Sequence, residues 1–78
     1  MPTVLRVNGF RFFFWSLENN EPPHVHVEKG GGYGKWWLKP VRTVYAKGFS
    51  PAELRDIEAI LHEHEAEILR RWNEHFGD

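Results

Sequence analysis

The chain has 78 residues with ten Lys/Arg, eleven Asp/Glu, five His and no Cys, for a formal net charge of −1. At this length one small core must supply the stability, and without cysteine neither disulfides nor thiolate metal sites contribute. No apolar run approaches the roughly 20 residues that span a bilayer and Met1-Pro2-Thr3 carries no signal-peptide pattern, so a soluble cytoplasmic protein of prokaryotic type is expected.

Thr3 to Val7 reads as a short strand, and Asn8-Gly9 is a two-residue hairpin signal. Phe10 to Ser16 returns as a strand with apolar residues on both faces, which predicts an interior position. The polar run Glu18-Asn19-Asn20-Glu21 is turn-like, and Pro22-Pro23 holds the next entry extended. His24 to Lys29 is the third strand, followed by the bare connection Gly30-Gly31-Gly32. Tyr33 to Lys39 and Val41 to Ala46 are the fourth and fifth strands, divided by Pro40, which cannot donate to a ladder.

Gly48-Phe49-Ser50-Pro51-Ala52-Glu53 announces a helix: Ser50 caps, Pro51 fits the first turn and Glu53 closes a capping box. Leu54, Ile57, Leu61, His64, Ile68 and Trp72 fall on one face, Phe76 extends it, and Phe49 is placed to staple Leu54's turn. The helix is predicted over about 51–75, stopping at Gly77. The expected fold is α+β: one domain over 1–78, with a meander-like antiparallel sheet of about five strands within 3–47 packed against one C-terminal helix.

Charge divides along the same line. Residues 1–49 carry seven Lys/Arg against three Glu, a balance of +4, and residues 50–78 carry three Arg against eight Asp/Glu, a balance of −5. A basic sheet is therefore backed by an acidic helix. The near-neutral total argues against tight, sequence-blind nucleic-acid binding, and leaves room for a local basic patch.

The segment Pro22-Pro23-His24-Val25-His26-Val27 holds the most specific chemistry. Strand residues two apart share a face, so both imidazoles leave one side while Val25 and Val27 leave the other. Together with Phe12-Phe13-Phe14-Trp15, Lys35-Trp36-Trp37-Leu38-Lys39-Pro40, Gly48-Phe49-Ser50-Pro51-Ala52-Glu53-Leu54 and Trp72-Asn73-Glu74-His75-Phe76, it resembles a small prokaryotic family catalogued as domain of unknown function 4160. The resemblance implies a gene set beside a second small gene, in an arrangement similar to toxin–antitoxin pairs. It implies no particular reaction and no catalytic residue.

Three readings of the residues stay open. A His-x-His pair on a strand chelates a divalent metal such as zinc, His24 and His26 being the ligands; Glu28 shares their face but three alternate strand residues span about 13 Å, so a third ligand is sought on another element, from Glu18, Glu21, His62 or His75. The same two histidines could serve as acid and base of a metal-independent ribonuclease-type toxin, with Lys35 or Arg42, and less directly Lys29 or Lys47, stabilising an anionic transition state on RNA. A toxin of that kind needs no cofactor. In the third reading Trp36 and Trp37 are adjacent, so one enters the core and the other faces a partner, either a cognate small protein or a second copy in a homodimer. Against all three stands the plain alternative of half-exposed strand histidines bonded to backbone or carboxylates. His64, on the apolar stripe, and His62, four residues after Glu58, read as helix residues without a catalytic role.

Overall fold

The computed structural model describes residues 3–15 and 20–77. Five strands, β1 (Thr3–Val7), β2 (Phe10–Phe13), β3 (His24–Lys29), β4 (Gly32–Leu38) and β5 (Val41–Lys47), precede two helices, α1 (Pro51–Glu63) and α2 (Glu65–Phe76). The sheet is an antiparallel meander in the order β1-β2-β3-β4-β5. Asn8 and Gly9 take φ of 53° and 84°, the paired positive values of a hairpin turn that follows the strands' own twist. β2 ends at Phe13 rather than Ser16, which lies outside the described residues, and β5 runs one residue past Ala46 to Lys47.

Pleating divides the strand residues between two faces. Phe10 and Phe12 of β2, Val25 and Val27 of β3, and Trp36 and Leu38 of β4 meet Ile57, Ile60, Leu61, Ile68 and Trp72 of the helices in one apolar cluster. Gly34 is demanded by that packing. A Cβ there would lie 2.6 Å from Cζ3 of Trp36 and 2.8 Å from the Tyr45 carbonyl oxygen. Phe49, at the helix entry, sets its ring 6.2 Å from those of Phe10 and Trp36.

The single helix expected over 51–75 is two helices. Ser50 and Glu53 form the capping box as read from the sequence, with bonds of 3.1 and 2.9 Å. At His64 the backbone turns to φ −108°, ψ 16°, although His64 N–H still reaches Ile60 and its own carbonyl receives Ile68 N–H. The geometry explains the break. A straight helix of that length would run about 38 Å, whereas five strands measure about 19 Å across. The bend lets α1 pack toward β5 and α2 toward β1. Within α1, Ile60 is buried beside Ile57 and Leu61, and Leu54 in the first turn is exposed. Among the described residues no helix is long and apolar enough to cross a membrane.

Candidate functional site

The site is the sheet face turned away from the helix core, and register assembles it. Three cross-strand rows run over it: Phe13, His26, Lys35 and Tyr45; Arg11, Glu28, Tyr33 and Lys47; and His24, Trp37 and Arg42. The entry to β3 is tied at the end of β4, where Leu38 N–H donates to the Pro23 carbonyl at 3.1 Å. That contact and the prolines fix where His24 begins the strand.

His24 is 0% exposed and His26 2%. His24 Nδ1–H donates to the Pro22 carbonyl at 3.0 Å, and its ring lies 5.4 Å from His26, 5.8 Å from Trp37 and 5.0 Å from Trp72 of α2. Trp72 thereby joins the two layers at that end of the sheet. The His26 ring lies 5.6 Å from Phe13 and 5.9 Å from Tyr33, and these two are 6.4 Å apart, so the three rings form a triangle. A hydrogen bond of 2.9 Å links His26 Nδ1 to the Tyr33 hydroxyl, which also accepts Trp15 Nε1–H at 3.2 Å.

Charge on this face is mostly spoken for. Lys35, 9% exposed, donates from Nζ to Glu21 Oε1 at 2.7 Å and lies 5.1 Å from the Trp37 ring centre. The same Glu21 oxygen is 3.7 Å from His24 Nδ1. Arg11 bonds Glu28 at 2.8 Å and Thr3 Oγ1 at 2.8 Å while its guanidinium covers Phe13 at 4.3 Å. These pairings hold a desolvated cation and two buried rings in place.

The residues singled out from sequence are thus partly united. His24, His26 and Lys35 share one layer, with Arg42 exposed at the end of the third row. Trp36 goes to the core, and Trp37 is the half-buried one on the outer face. Lys29 leaves this face and lies 4.6 Å over Phe10. The histidines are sealed rather than half-exposed, because aromatic neighbours from β2 and β4 close over them. Of the suggested third ligands, Glu28 is taken by Arg11, Glu21 by Lys35, His62 is exposed on α1 and His75 stacks on Phe14 at 6.0 Å. Glu18 lies outside the described residues. Among the described residues no group of three His, Asp or Glu is arranged to hold a metal ion. A shallow pocket lined by Val4, Phe14, Arg71, Glu74 and His75 lies elsewhere and includes none of the layer's residues.

Sequence reasoning missed Arg11 as a member of the site, and offered Glu21 as one possible metal ligand instead of a lysine partner. The short glycine connection was the available signal: closing it as a hairpin sets His26 opposite Lys35 and Glu28 opposite Tyr33.

A family model described as Domain of unknown function (DUF4160) matches residues 9–73. The chain belongs to this family. No curated protein and no solved structure matches it. The span matched by DUF4160 takes in every outer-layer residue named above except Thr3, and nearly all of the helix core.

Proposed function

We propose that this protein is one component of a two-gene, toxin–antitoxin-like module of the prokaryotic cytoplasm and acts by binding a cognate protein on the outer sheet face. The carrying observation is the contrast within that face: its histidines are sealed, while Trp15 and Tyr45 remain 40% and 46% exposed and Trp37 is half-buried in the same layer. Rings held by their neighbours lose little freedom on binding, and such aromatics make good anchors. A second copy of the chain is the competing occupant.

The histidine-dependent ribonuclease and the zinc reading need imidazole nitrogens that meet a substrate or a metal. Rings with 0% and 2% exposure, one of them donating to Pro22, offer neither in this conformation. Expression of the chain alone, beside a His24→Ala/His26→Ala double variant, separates the readings. Growth arrest and RNA loss that disappear in the double variant, while its purified protein keeps a folded circular-dichroism spectrum, would establish a histidine-dependent toxin. For the binding reading, the chain co-expressed with the product of its neighbouring small gene is expected to co-elute on size exclusion, and Trp37→Ala to weaken that complex about tenfold. Co-elution indifferent to both Trp37→Ala and Tyr45→Ala would remove the outer face from the account.

A further inference from the structure

β5 differs from every other strand. β2, β3 and β4 are mostly buried, whereas β5 is exposed from Arg42 to Lys47 and only Val41 is partly covered. It ends the sheet order, and among the described residues no strand lies beyond it. Seven residues give about 23 Å of strand whose outward backbone groups face solvent. Charge is one-sided here as well: residues 33–52 contain Lys35, Lys39, Arg42 and Lys47 and no carboxylate. Lys35 is engaged by Glu21, so three cations stand on or beside the edge.

We infer that β5 is an addition site for an extended acidic segment of a partner protein, which joins the sheet as a sixth strand. The inference rests on the protein-binding reading above and names the surface and the chemistry of the partner. A strand laid along β5 continues the three outer rows past Arg42, Tyr45 and Lys47. The register shift between Lys35 and Trp36, with Val44 as the extra residue, brings these three side chains into alternation. The complementary pattern is acidic, any, apolar, any, acidic, with carboxylates opposite Arg42 and Lys47 and an apolar side chain beside Tyr45.

The occupant is chosen by charge. A second copy adding through its own β5 would bring basic strand against basic strand, which is destabilising at close cross-strand positions. The cations that deter such self-pairing favour an acidic strand. A nucleic acid draws its affinity from phosphate neutralisation, and a chain of net charge −1 supplies little of it.

The test uses the whole protein, isotopically labelled, and three ten-residue peptides: one built around Glu-Thr-Val-Thr-Glu, its lysine counterpart, and the glutamate peptide N-methylated at alternate residues. Amide shifts and hydrogen-exchange protection along Val41–Lys47 are expected with the glutamate peptide, with about tenfold weaker binding of the lysine peptide. The N-methylated peptide is expected not to bind, and an Arg42→Glu/Lys47→Glu variant to reverse the charge preference. Shifts confined to Trp15, Tyr33 and Trp37 would overturn edge addition while leaving a binding face. Concentration-dependent protection of β5 without peptide would assign the edge to a second copy, and tighter binding of an oligouridylate would assign it to RNA. No binding of any peptide would also overturn the inference. Co-elution with the neighbouring gene product tests the parent reading independently.

Discussion

Both faces of the sheet bury large rings, but they do so by opposite means. Toward the helices, Phe10, Phe12, Val25, Val27, Trp36 and Leu38 are closed off by hydrocarbon from α1 and α2. On the other side, Phe13, His24, His26 and Lys35 are buried in a layer built largely from the sheet's own side chains, held by the bonds of Glu21, Tyr33 and Trp15 and touched by Trp72 of α2. One face is sealed by area removed from water. The other is sealed by satisfied polar groups, and its sealing is conditional on each partner being present.

Breaking the apolar face should cost most. Trp36→Ala is expected to lose about 3–5 kcal/mol in chemical denaturation, because it empties the centre of the helix-side core. A loss under about 1 kcal/mol would mean that this face is not the main source of stability. Gly34→Ala tests the same layer by overfilling it and is expected to cost about 1–3 kcal/mol, since Trp36 and the Tyr45 carbonyl must both move.

The outer face is sharpened by an asymmetry between two partners. Glu21 is 42% exposed and Lys35 only 11% as side chains, so losing the carboxylate strands a buried cation, while losing the amine leaves a carboxylate that water reaches. Glu21→Ala is therefore expected to cost about 1–3 kcal/mol and to exceed Lys35→Met, whose side chain keeps the apolar stem over Trp37. The reverse order in thermal or chemical melts would refute this account of the pair. Tyr33→Phe removes the hydroxyl shared by Trp15 and His26 and is expected to cost about 1 kcal/mol, with a change in Trp15 fluorescence that reports the lost bond. At the low end, Glu74→Gln breaks an exposed 3.8 Å contact with Arg70 on α2 and should shift stability by less than about 0.5 kcal/mol. A larger effect would give Glu74 a role beyond that pair.

Much of the scaffold was legible from local patterns. Asn8-Gly9 named its turn, the Pro-bounded His24–Lys29 strand appeared at its full length, and Ser50, Pro51 and Glu53 marked the helix start. Each is a short-range effect of φ preference, missing donor or cap, and needs no distant neighbour. The two-residue alternation also separated His24 and His26 from Val25 and Val27. Alternation could not tell which face would meet helices, nor that the second face would close over its histidines.

Those outcomes depended on register and on the finite width of the sheet. Setting β4 beside β3 put Lys35 against His26 and Tyr33 against Glu28, and Glu21 then found Lys35 across 14 residues of chain. The same width broke the predicted helix at His64, and in α1 Ile60 is buried beside Ile57 and Leu61 while Leu54 in the first turn is exposed. Sequence alone determined the five strands and the start of the helix, because turns, caps and alternation are decided within a few residues. Tertiary structure decided which tryptophan was core, which histidines were sealed and which edge stayed open, because those are set by what each element packs against.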